Sequence, residues 1–208
     1  MQRFFEVRCH SNKQVPMKTI HAFLLLAAAF GITSCTKDNN VQPGPLALTI
    51  AVPNGDFETW SNVLPADWET NSCPLCLPPY DMYLVRQDTS AYQGQFAAKF
   101  IYNNVFPSVA ANGFAISSHP VDLKAYVKCN LATNDSVRIT VTLFNNNVVV
   151  DNGEWYGTIS YANYTQIQVP ISQNATQADS VSIYIEGGHV NASPLPNTEL
   201  WVDEVTLD

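Results

Sequence analysis

Val137, Ile139, Val141 and Leu143 alternate with Ser136, Arg138, Thr140 and Thr142. A period of two predicts a strand with one face in a core and the other in water. The same period runs through Ile167, Val169 and Ile171 and through Val181, Ile183 and Ile185, and the runs Phe96 to Tyr102 and Leu123 to Cys129 are similar. From Leu46 onward no stretch sustains a helical period over three turns. Asn145-Asn146-Asn147 and Asp151-Asn152-Gly153 carry turn chemistry. About eight to ten such strands in roughly 160 residues predict an all-β fold, an antiparallel two-sheet β-sandwich of jelly-roll type. No internal repeat divides residues 46–208, which read as one domain.

Ahead of this region the pattern changes. Met17-Lys18-Thr19 is a short positive start, Ala22 to Ile32 is an apolar run, and Ile32-Thr33-Ser34-Cys35 closes it with small residues before a cysteine. The run is shorter than the about 20 residues a membrane-spanning helix needs. Its ending resembles a bacterial lipobox, which implies that Cys35 is lipidated and begins the mature protein. The expected organisation is then an upstream extension over 1–16, a lipoprotein signal peptide over 17–34, a flexible tether over 35–45 and the sandwich over 46–208. Lys37-Asp38 resembles a shortened Gram-negative export signal, so the expected address is the outer membrane, facing the cell surface, with membrane contact only through the lipid.

Charge narrows the partners. The chain has 10 Lys and Arg against 18 Asp and Glu, and loss of the leader leaves 6 basic against 17 acidic residues. Phosphate neutralisation needs clustered cations, so a nucleic-acid partner is excluded. Beyond the leader, Cys73, Cys76 and Cys129 remain. Cys73-Pro74-Leu75-Cys76 reads as a loop-closing disulfide or two reduced thiols, without a second CxxC to make a zinc site. Cys129 shares its period-two row with Leu123, Ala125 and Val127 and is expected in the core.

Catalytic signatures are sparse. His119 and His189 are the histidines beyond the leader, and no zinc-hydrolase, serine-hydrolase or phosphate-loop motif occurs. A glycosidase would need two carboxylates about 5 to 10 Å apart across a cleft, and that enzyme is the alternative to a binding role. Trp60 and Trp68 are expected in the core. Trp155 and Tyr156 follow the polar Asp151-Asn152-Gly153 segment, with Tyr161 and Tyr164 close behind, which places several rings near one rim. Sugars stack their C–H faces on such rings while Asn, Asp and Gln reach the hydroxyls. Trp155, Tyr156 and Tyr161 are therefore candidate ligand contacts, with strand-edge packing as the other reading; Tyr80 and Tyr83 are secondary candidates.

Asn54-Gly55-Asp56-Phe57-Glu58-Thr59-Trp60, Leu64-Pro65-Ala66-Asp67-Trp68 and Tyr92-Gln93-Gly94-Gln95-Phe96-Ala97-Ala98-Lys99 resemble the opening of galactose-binding-like jelly-roll modules. Tyr164-Thr165-Gln166-Ile167-Gln168-Val169-Pro170-Ile171 and Leu200-Trp201-Val202-Asp203-Glu204-Val205 are similar to the ending of their carbohydrate-metabolism and carbohydrate-binding branch. The resemblance covers nearly all of Val52 to Leu207 and implies a noncatalytic module with a poly- or oligosaccharide partner. A structural or adhesive surface protein with a protein partner would use the same sandwich. In the last run Trp201, Asp203, Val205 and Leu207 fall on one face of an ideal strand, which puts a carboxylate in an apolar row. Neither Lys nor Arg follows Arg138, so a cation or backbone N–H groups are expected to compensate Asp203. The resemblance implies a structural calcium held by Glu58 and Asp203, with Asp56 as a third carboxylate.

Overall fold

A computed structural model describes residues 49–73, 84–102, 107–174, 176–188 and 197–208. The expected leader and tether with Cys35, and the positions Cys76, Tyr80 and Tyr83, lie outside the described residues. The strands are β1 (Ile50–Ala51), β2 (Trp60–Ser61), β3 (Leu64–Pro65), β4 (Glu69–Thr70), β5 (Val85–Asp88), β6 (Ala97–Ile101) and β7 (Ser108–Ala115). They continue with β8 (Asp122–Asn130), β9 (Val137–Asn145), β10 (Val148–Gly157), β11 (Tyr161–Pro170), β12 (Ser180–Gly187) and β13 (Glu199–Leu207). One sheet runs β11-β8-β13-β6-β5 with β1 added to β13; the other runs β10-β9-β12-β7-β4. Every pairing is antiparallel.

The period-two rows become the two inner faces. Leu123, Ala125, Val127 and Cys129 of β8 face Val137, Ile139, Val141 and Leu143 of β9 and Val181, Ile183 and Ile185 of β12 across one continuous core, each nearly or fully inaccessible. Burying each of the Val, Ile and Leu side chains contributes roughly 1.5–3 kcal/mol. The opening segment ties into that core. Trp68 packs its ring 5.0 Å from Phe57 and donates Nε1–H to the Asn54 carbonyl at 3.1 Å. Gly55 lies so close to β13 that an added Cβ would meet the Val205 carbonyl at 2.3 Å.

Three local expectations are corrected. Asp151-Asn152-Gly153 is no turn: it lies within β10, paired with Leu143, Thr142 and Val141, and the hairpin turn is at Asn146 and Asn147 instead. Asp151 is tolerated there because Ser172 and Asn174 donate to its carboxylate, and Gly153 because the Pro170 carbonyl passes where a Cβ would stand. Trp155 and Tyr156 consequently sit on a strand and point to opposite faces rather than sharing a rim. In β13, Trp201 and Asp203 face outward while Val205 and Leu207 face the core. A bulge between Asp203 and Thr206, with Glu204 at φ 50°, shifts the alternation by one residue.

Candidate functional site

The outer face of the five-stranded sheet is built by cross-strand register. Tyr184 on β12 lies between Thr140 on β9 and Ala111 on β7; one row along, Glu186 lies between Arg138 and Val109, and Arg138 is opposite Tyr156 on β10. The Arg138 guanidinium is the centre of this group. Its Nη2 is 2.7 Å and its Nε 3.0 Å from Glu186 Oε2, its Nη1 is 3.4 Å from Glu154 Oε1, and its Cζ is 5.7 Å from the Tyr184 ring centre. Burial works against the Arg138 charge, but the Tyr156 hydroxyl and the Glu186 carboxylate outweigh it and raise its pKa. Tyr184 is pushed up by burial and by the Glu186 charge. Glu154 and Glu186 thus converge on a guanidinium rather than on each other.

Around this group the floor is low. Ala111, Gly113, Thr140, Thr142 and Ser182 are small or hydroxyl-bearing, and a Cβ at Gly113 would meet only the Val181 carbonyl at 3.7 Å. Tyr156 stands 45% exposed at the edge. A shallow face with two tyrosines, a fixed guanidinium and hydroxyls can stack a sugar ring and reach its hydroxyls together.

The opposite outer face carries a second group of rings. Tyr92 stacks on Tyr126, with ring centres 3.6 Å apart and planes 10° apart, and Tyr164 meets Tyr92 edge-on at 5.9 Å. The Tyr164 hydroxyl donates to the Ser90 carbonyl at 2.5 Å, and burial pushes its pKa up. Trp201 is flanked across the strands by Lys128 on β8 and Lys99 on β6, whose ammonium groups lie 4.2 and 4.5 Å from its ring centre. The loop before β6 is held by carboxylates. Asp203 Oδ2 accepts from the N–H groups of Tyr92 and Gln93 at 2.7 and 3.1 Å, and Glu58 Oε1 accepts from those of Gln95 and Phe96 at 2.7 and 3.0 Å. Asp203 is fully inaccessible. Burial pushes its carboxyl up to about 6 against the lowering effect of these N–H groups.

The sequence-predicted residues therefore separate. Tyr156 joins the Arg138 group, whereas Trp155 points inward, half-buried against the core, its ring where a Cβ on Gly157 would stand. Tyr161 lies opposite Cys129 at the edge of the other sheet. Glu58 and Asp203 grip one loop, and Asp56 Oδ1 accepts from the Glu58 N–H at 3.4 Å. Among the described residues no three His, Cys, Asp or Glu side chains are grouped as a metal shell. Cys73 is disulfide-bonded and Cys129 is a buried free thiol. Tyr184, Arg138 and Glu186 escape a reading for aromatic clusters because they are far apart in sequence. Their one signal is that each occupies a polar position of an alternating strand.

No protein-family model matches the chain, and no curated protein matches it in sequence. Solved structures do resemble it. The Stig cyclase Fisc from Fischerella sp. TAU, in complex with (3Z)-3-(1-methyl-2-pyrrolidinylidene)-3H-indole, superposes with a TM-score of 0.50 at 11% identity over 77% of this chain and 96% of that one. The enzymatically active domain of tailspike protein 4 from bacteriophage CBA120 gives 0.50 at 12% identity, over 75% of this chain and 21% of that one. TmCBM61 in complex with beta-1,4-galactotriose gives 0.43 at 12% identity, over 74% and 91%. The antiparallel β-sandwich expected from the sequence is the fold of this chain, and carbohydrate-binding modules are among the solved sandwiches it resembles.

Proposed function

We propose that the protein is a noncatalytic carbohydrate-binding module whose glycan contacts are Tyr184, Tyr156 and Arg138 on the outer face of the five-stranded sheet. The observation that carries this reading is the placement of a guanidinium, fixed by Glu186 and Glu154, between two tyrosines on a floor of small and hydroxyl-bearing residues. Fixing the side chain beforehand lowers the ordering cost of binding. A glycan array probed with the full chain tests it: at least one neutral oligosaccharide should bind, and Tyr184→Ala should abolish that signal while leaving the thermal melt cooperative. An array without a binder rejects the reading.

We further propose that the sandwich is displayed at the outer membrane through a lipid on Cys35, a reading that rests on the Ile32-Thr33-Ser34-Cys35 ending. Mass spectrometry of the mature N-terminus should find a diacylated Cys35 and no peptide containing Phe4 or Phe5.

A structural calcium beside Glu58 is the third element of the proposal. Its support is the crowding of carboxylates on one loop: Glu58 and Asp203 accept from its N–H groups, Asp56 Oδ1 accepts from the Glu58 N–H, and beside burial the charges of Asp56 and Glu58 raise the Glu204 carboxyl. Carboxylate oxygens suit a hard cation. Calcium should raise the melting temperature and a chelator should lower it. Glu58→Gln, which keeps an acceptor for the Gln95 and Phe96 N–H groups, should erase that difference; identical melting of the parent protein with calcium and with chelator removes the ion from the account.

A further inference from the structure

Where β11, β8 and β13 run side by side, at the Asn130 end of β8, a cavity of about 430 Å³ is lined by Lys128, Cys129, Asn130, Ser160, Tyr161 and Trp201. Its volume suits one or two sugar rings. Two of its polar groups stand out. The Trp201 Nε1–H is buried and has no hydrogen-bond partner among the described residues. Buried donors are normally satisfied, so an unpaired one beside a cavity points to an acceptor that belongs there. The second group is the Lys128 ammonium. It lies over the rings of Trp201 and Tyr164 at 4.2 and 5.4 Å and donates to Ser90 Oγ at 2.5 Å. Among the described residues no carboxylate lies within ion-pair distance of it, whereas Lys99 pairs with Glu199, Lys124 with Asp208, and Arg138 with Glu186 and Glu154.

The cavity thus offers a cation and an unpaired N–H, both donors, beside the exposed Asn130 and Ser160, while Tyr161, opposite the buried Cys129, packs on the core side. An ammonium left without a counter-charge is conspicuous in a chain of formal charge −8. What complements two donors is an acceptor with a negative charge; what complements the exposed Asn130 and Ser160 is a hydroxylated ring. From this juxtaposition we propose that the cavity is a second ligand site, on the sheet opposite the Arg138 face, that takes a carboxylated sugar of the uronate class. The carboxylate would accept from Lys128 Nζ and Trp201 Nε1, a charge-assisted arrangement stronger than a neutral one, with the sugar hydroxyls toward Asn130 and Ser160.

The test is calorimetric titration of the full chain with trigalacturonate, triglucuronate and trimannuronate, each beside its neutral methyl ester. At least one acid should bind, and its ester should bind at least tenfold more weakly. Lys128→Met, which keeps the aliphatic stem over the rings, should bring the acid down to the level of the ester, and Lys128→Arg should restore most of the affinity. Trp201→Phe, which removes only the donor and part of the ring, should weaken the acid several-fold. The acid and ester comparison needs no variant, so it stands even if Lys128→Met fails to fold. No binding of any of the three acids, equal binding of acid and ester, or unchanged acid binding by folded Lys128→Met overturns the proposal. Preference for a sulfated trisaccharide without carboxylates over all three uronates overturns the carboxylate assignment.

Discussion

Single residues set what each face can do. Tyr156 was legible as an exposed ring because it lies in a polar stretch; Trp155 beside it was not separable by residue type, since neighbours on a strand point to opposite sides. The two should part in experiment. Tyr156→Ala should weaken the best array glycan by about 1–2 kcal/mol, roughly five- to thirtyfold, with the melting temperature little changed. Trp155→Ala should instead lower the melting temperature, because its ring packs on the core. Gly94 is a second residue with a defined job. It has φ 74°, and a Cβ there would stand 2.1 Å from Glu58 Oε1. Gly94→Ala should therefore destabilise the protein by about 1–3 kcal/mol, a shift of several degrees in a thermal melt. An unchanged melt would mean that the loop relaxes away from Glu58.

At the scale of the elements, alternation carried the fold. The rows of β8, β9 and β12 appear in the core as the sequence orders them, because a period of two admits only one inward set once one face is apolar. Where alternation broke, the reading broke with it. The bulge at Glu204 is invisible in a pattern of residue types, so Asp203 was placed on the inner row when it stands outside it beneath the Tyr92–Gln93 backbone. Asp151 and Gly153 looked like a turn because their residue types serve turns, yet they meet a tertiary need that only the folded neighbours reveal. Burial alone would raise the Asp151 carboxyl, but Ser172, Asn174 and the charge of His119 hold it below the ordinary carboxylate value. His119 Nε2 lies 3.1 Å from Asp151 Oδ2, off the hydrogen-bond direction. A carboxylate depressed in the folded state contributes stability above its unfolded pKa of about 4, and that contribution is lost as pH falls through the folded value. Asp151→Asn should therefore melt lower than the parent at pH 7, with the gap closing on acidification below about pH 4. A gap that stays constant from pH 7 to pH 3 would assign the acid sensitivity elsewhere.

At the largest scale the described residues form a sandwich whose two outer faces differ in chemistry. One carries a guanidinium already neutralised by Glu186 and Glu154; the other carries an ammonium without such a partner. The motifs that identify the fold, Asn54 to Trp60 and Leu200 to Val205, are legible because they do structural work: Asn54 and Trp68 close the opening loop, and Gly55 and Val205 join it to β13. The proposed glycan contacts answer to no such shared requirement and sit at ordinary polar positions of alternating strands, which is why the sequence pointed to the fold before it pointed to a face. The central claim is that the five-stranded face binds glycan. The most direct measurement is titration of the best array oligosaccharide into isotopically labelled protein, followed by amide chemical shifts. Shifts centred on Arg138, Tyr156 and Tyr184 and lost in Tyr184→Ala are the predicted result. Saturable binding that leaves those three amides unmoved would contradict it.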